Sequence, residues 1–141
     1  MIKLLEDVQV TKNFKFDEFS NHLKDGTYLK IEMDLIYKLQ QIRDIVGSIT
    51  ITSGFRTETF NKSVGGSSNS YHIEGKAADI RFNFDAWSIE TLTKLFSGIG
   101  FGNLGIYLNP NNSINRLHCD VGEPWKNWDK YNNMSFKVYH V

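Results

Sequence analysis

Apolar positions between residues 31 and 46 recur at helical period. Ile31, Leu35, Leu39, Ile42 and Ile45 follow at spacings of four, four, three and three, which puts them on one side of an amphipathic helix. Gly47 stands just past the last of them, where helices commonly end. A second stripe, Ile89, Leu92, Leu95 and Phe96, predicts a helix of about ten residues, capped by Asp85 or Ser88. Thr57 to Val64 suits a shorter helix. Strands are expected at Ile49–Thr52, Ala77–Phe82, Leu104–Leu108 and Asn115–Val121, where β-branched or alternating residues prevail. The last two flank Asn109-Pro110-Asn111-Asn112-Ser113 and predict a hairpin. Phe14, Phe16 and Phe19 predict a strand or turn entering one helical turn, with the rings anchoring the N-terminal arm. Trp125, Trp128, Tyr131 and Phe136 predict a segment packed over one end of the sheet. No repeat or linker interrupts the pattern. The expectation is one α+β domain over residues 1–141, with a small antiparallel sheet of about four strands flanked by helices.

Composition narrows the function classes. The chain has 141 residues, 40% of them hydrophobic and 23% charged, enough for a core without staples. Sixteen basic residues balance sixteen acidic ones, which leaves no electrostatic footprint for nucleic acid. Cys119 is the single cysteine, so no internal disulfide forms. Met1 to Asp7 contains neither a long apolar run nor a cleavage site, and no stretch approaches the length of a membrane span. The expectation is a chain made without a leader, with no membrane span and no nucleic-acid partner.

Alternation locates the candidate chemistry. Within Ala77–Phe82, Asp79 and Arg81 share one strand face, opposite Ala78, Ile80 and Phe82. Within Asn115–Val121, Arg116, His118 and Asp120 share one face, opposite Leu117, Cys119 and Val121. His72 precedes Asp79 by seven residues, after a loop of glycine and serine. A catalytic zinc takes three nitrogen and oxygen ligands and keeps one position for water. His72, Asp79 and His118 meet that demand, which leaves Asp120 beside the site as a carboxylate able to carry a proton. Arg56 follows Ser53-Gly54-Phe55 at a strand exit; its planar fork suits a substrate carboxylate, and a plain salt bridge is the bland alternative. Ser70 is either a turn residue or a hydrogen-bonding support behind the site. His22 and His140 lack a matching carboxylate, Glu74 competes weakly as a proton carrier, and Cys119 faces away from His118.

These residues carry a resemblance. Ser70-x-His72-x-x-Gly75-x-Ala77-x-Asp79, with Ser53-Gly54-Phe55-Arg56 before it and Leu117-His118-Cys119-Asp120 after it, resembles the zinc D-alanyl-D-alanine carboxypeptidases. That family includes phage L-alanyl-D-glutamate endolysins and shares its fold with the hedgehog signalling domain. The resemblance runs from about Phe14 to Val121. It implies one zinc on His72, Asp79 and His118, hydrolysis of peptide bonds in peptidoglycan stem peptides, and an arginine, here Arg56, that binds substrate oxygen. Ser70 then belongs with substrate binding. Many members carry an acidic base three residues before the third ligand; this sequence has Asn115 there. The base role is therefore expected of Asp120.

The expected protein is a zinc metallopeptidase of the bacterial cell wall, a phage or prophage lysin that reaches the wall on release or a component of a phage particle. A zinc-stabilised module that binds wall peptide or protein without cutting it is the alternative, kept alive by Asn115. A metal-free domain with an internally bonded polar face is a third.

Overall fold

A computed structural model describes residues 8–20, 28–126 and 132–139. Met1 to Asp7, His22, Trp128, Tyr131 and His140 lie outside them. Five strands, β1 (Thr50–Ser53), β2 (Ala77–Arg81), β3 (Asn103–Leu108), β4 (Ile114–Asp120) and β5 (Phe136–Tyr139), form one sheet in the order β1-β2-β4-β3-β5. All pairings are antiparallel. Three helices accompany the sheet: α1 (Met33–Val46), α2 (Glu58–Ser63) and α3 (Ile89–Ile99). A 3-10 turn over Phe16–Phe19 precedes them. No helix among the described residues is long and apolar enough to cross a membrane.

The alternation seen in the sequence gives the sheet two unlike faces. Ala78, Ile80, Leu104, Ile106, Leu117 and Cys119 join Leu35, Ile36, Leu39 and Ile42 of α1 and Leu92 and Phe96 of α3 in the core. Burying each large aliphatic chain contributes on the order of 1.5–3 kcal/mol before conformational entropy is charged against it. Phe14 and Phe19 are fully buried at the edge of this core, as expected of an anchored arm. Two details of α1 differ from expectation. The helix begins at Met33, and Ile45 is exposed while Ile36 is buried. At 100° per residue, Ile45 lies roughly 110° from the centre of the Leu35–Ile36–Leu39–Ile42 stripe. Val46 falls on that stripe and packs against the core in its place.

The expected four-strand sheet becomes five. Phe136 is the first residue of an edge strand that pairs with β3, with Leu104 opposite Tyr139 and Tyr107 opposite Phe136. Helix starts were more legible. Ser88 caps α3 in a reciprocal pair of hydrogen bonds with Thr91, and Thr57 caps α2 by accepting from the Phe60 N–H.

Gly54 sets the link between β1 and the N-terminal turn. A Cβ there would sit 2.5 Å from the Phe19 carbonyl oxygen, which already accepts a hydrogen bond from Phe55 N–H at 3.0 Å. Neither backbone can yield cheaply. Gly54→Ala should destabilise the metal-free protein by about 1–3 kcal/mol, read as a lower urea midpoint; an unchanged midpoint would show the two backbones free to part.

Candidate metal centre

The polar sheet face supplies the site. Register sets Asp79 of β2 directly opposite His118 of β4, which in turn faces Gly105 of β3. His72 arrives from a tight loop instead of a strand. Gly75 turns that loop with φ 72°, a conformation that suits a residue without Cβ, and Arg56 N–H donates to the His72 carbonyl at 3.1 Å. The Ser70 hydroxyl accepts from His72 N–H at 3.2 Å. Ser70 thus supports the loop behind the histidine, and it also lines the neighbouring cavity.

His72, Asp79 and His118 are all buried and offer donor atoms within 4.8 Å of one another. Asp79 Oδ1 lies 3.2 Å from His72 Nε2 and 3.3 Å from His118 Nδ1. Zinc bonds of about 2.0–2.1 Å put tetrahedral donors about 3.3–3.4 Å apart, so these spacings fit a zinc ion. Each histidine is oriented from behind. His72 Nδ1 lies 2.8 Å from the Gly54 carbonyl, which only accepts, so that nitrogen donates and Nε2 keeps its lone pair. His118 Nε2 lies 2.7 Å from Asp120 Oδ2 and donates to it, which aims Nδ1 at the shared point. Cys119 sits on the opposite strand face in the core, with its thiol against the Ala78 carbonyl.

Asp120 is placed differently from the expectation of a proton carrier. It is fully buried. Its Oδ2 accepts from His118, and its Oδ1 accepts from Asn103 Nδ2 at 2.8 Å and Gly122 N–H at 3.1 Å. Both oxygens are engaged on the side of the imidazole away from Asp79. This geometry favours a positioning role over proton carriage. Asn103 carried no signal in the sequence; the expected strand begins one residue later, at Leu104, whereas β3 begins at Asn103.

Arg56 does reach the centre. Nη2 lies 3.3 Å from Asp79 Oδ2, while Nε donates to Ser53 Oγ at 3.1 Å and Nη1 to Asn61 Oδ1 at 3.3 Å. Asn61, buried on α2, is a second support that no pattern flagged. Glu74 lies apart, paired with Lys76 at 3.7 Å.

Charge follows from this packing. Burial pushes the Asp79 carboxyl upward, but the hydrogen bond from His118 and the imidazoles gathered around it outweigh that and hold the group well below the usual carboxylate range. Burial lowers the His118 imidazole; its bonds to Asp120 and Asp79 outweigh that and raise it to about 9. Burial dominates at His72 and lowers it. In the metal-free protein His118 is therefore protonated at neutral pH. A metal needs its lone pair. Zinc uptake at pH 7 should release about one proton per ion, and affinity should rise with pH until about 9. Zinc titrations in two buffers of unlike protonation enthalpy measure this; zero proton release at pH 7 would contradict it.

Beside the centre lies a cavity of about 470 Å³, walled in part by Tyr71, Tyr107, Trp125 and Phe136. Gly105 makes room for one of these walls: a Cβ there would stand 2.5 Å from the Phe136 ring. The Trp125 ring lies 5.2 Å from His118, centroid to centroid.

A family model described as Peptidase M15 matches residues 12–120. The chain is 49% identical over 47 residues to a zinc D-Ala-D-Ala carboxypeptidase of Streptomyces albus G, a stretch that covers 32% of this chain and 18% of that relative. The match thus spans less than a fifth of that relative's length.

Proposed function

The chain belongs to the peptidase M15 family, and from that premise we propose that it is a zinc-dependent peptidase of bacterial cell-wall stem peptides. The observation that carries the reading is the convergence of His72 Nε2, Asp79 Oδ1 and His118 Nδ1 on one buried point at zinc-like spacing. The zinc carboxypeptidase of Streptomyces albus G supports both the metal and the D-Ala-D-Ala class of bond. Zinc, when bound, supplies a Lewis acid and a water acidic enough to ionise near neutrality.

The chain's own residues do the rest. Arg56, fixed by Ser53 and Asn61, presents a guanidinium beside Asp79, where negative charge on a substrate oxygen is stabilised. The aromatic cavity holds the peptide against the site and limits water there. Asp120 holds His118 in one tautomer and one orientation. With Asp120 so engaged, proton carriage falls to a group lining the cavity, and Glu123 is its carboxylate.

The likeness to phage L-alanyl-D-glutamate endolysins supports a lytic role, as a lysin released to the wall or a part of a phage particle. Asn115 and the fully bonded Asp120 favour a second reading, a zinc module that grips wall peptide without cleaving it. One digest separates the two. Purified peptidoglycan treated with zinc-loaded protein and analysed by mass spectrometry should yield new peptide termini at one bond of the stem. Intact stems with bound protein would replace the peptidase by the binder.

A further inference from the structure

A second cavity, of about 570 Å³, opens beside Asp79 and is walled by Arg56, Arg81 and Arg116; Arg56 and Tyr107 line the first cavity too. Its lining includes one carboxylate, Asp79. That carboxylate already serves His72 and His118 through Oδ1, while Oδ2 lies 3.3 Å from Arg56 Nη2 and 4.0 Å from Arg116 Nε. Among the described residues, Arg81 makes no ion pair with a carboxylate; its Nη2 donates to Asn115 Oδ1 at 3.1 Å. Arg116 Nη1 donates to the same oxygen at 3.2 Å. Two guanidiniums from adjoining strands therefore converge on one neutral amide. Like charges held so close repel, and a neutral acceptor does not cancel them.

The arrangement is held, not incidental. Asn115 is fixed by its own Nδ2, which donates to Asn109 Oδ1 at 2.9 Å. The Arg116 guanidinium carbon lies 3.7 Å from the centre of the Tyr107 ring, which sets the plane of the fork. Tyr107 lines both cavities, so an extended peptide crossing the centre would meet aromatic walls on one side and guanidiniums on the other.

We propose that the cavity walled by Arg81 and Arg116, with Asn115 as the neutral residue that holds them together, binds a carboxylate of the substrate beside the scissile bond. This rests on the peptidase reading. It gives Asn115 a reason: an acidic side chain there would pair with both arginines and cancel the field that attracts the anion. The consequence is a direction for the substrate, with its anionic group on the β1–β2 side and its apolar portion against Tyr107 and Phe136.

The test is calorimetry of zinc-loaded protein with N-acetyl-D-alanine and with its C-terminal amide, neither of which contains a bond between two amino acids. The acid should bind about tenfold tighter than the amide. Arg81→Gln, at an exposed position, and Asn115→Asp should each shrink that ratio about three- to tenfold, with amide affinity changed less than about twofold. No preference in the wild type, or a ratio that survives both substitutions, overturns the proposal, because the carboxylate would then be held by zinc or Arg56. The peptidoglycan digest is read separately. Cleaved stems with an unaltered ratio sink the cavity alone; uncleaved stems with the ratio lost in both variants sink the peptidase and leave the anion site standing.

Discussion

Asp79→Ala should cost zinc affinity more than the roughly 100-fold upper end seen for residues that merely support a ligand, and peptidase activity should fall with it. Asp79 is the hub of the centre. One oxygen meets both imidazoles and the other meets Arg56. Removing it also strands charge in a buried place. Breaking a buried ion pair by deleting one partner costs about 3–5 kcal/mol, so chelator-treated Asp79→Ala should unfold at markedly lower urea than chelator-treated wild type. The sign at neutral pH is clear: a carboxyl held below its ordinary range stabilises the fold above the unfolded-state value near 3.8, and that stability is lost only as pH falls further. Zinc binding and urea midpoint both unchanged would mean that the histidines do not depend on this carboxylate.

Asp120→Asn should lower zinc affinity by about 10–100-fold, while kcat at saturating zinc changes far less. The amide still fills the space, but it no longer fixes one tautomer or lends a carboxylate's charge to the zinc-bound imidazole. A proton carrier would behave in the reverse way: removing it costs about 10²–10⁴ in rate and leaves metal affinity alone. Zinc affinity and zinc-saturated kcat, measured on Asp120→Asn and Glu123→Gln together, tell the roles apart. Intact zinc affinity with a large kcat loss in Asp120→Asn would return the base role to Asp120.

Much of the frame was legible because local rules and tertiary packing agree there. The α1 and α3 stripes follow helical period, and Ser88 caps where a serine should. His118 and Asp120 were legible as one strand face, since alternation is rigid in a paired strand. What alternation leaves open is whether two residues on that face turn toward a common point or toward each other; the Asp120–His118 bond is the second case. The supports of Asp120 and Arg56, Asn103 and Asn61, come from distant parts of the chain and leave no periodic trace. Strand β5 was hidden by its aromatic surroundings. Four residues, of which Val138 alone is fully buried, are too short to outweigh a cluster of rings that reads as a packed lid. Likewise the meeting of Arg81, Arg116 and Asn115 depends on the pairing of β2 with β4.

X-ray absorption at the zinc edge of protein loaded with one equivalent tests the centre most directly. Two imidazole nitrogens and light oxygen donors, with no sulfur, are expected from His72, His118 and Asp79, and the His72→Ala protein should lose one imidazole or the ion itself. A sulfur neighbour, which Cys119 alone among the described residues could supply as a thiolate, or a spectrum with no imidazole, would contradict the three-residue site.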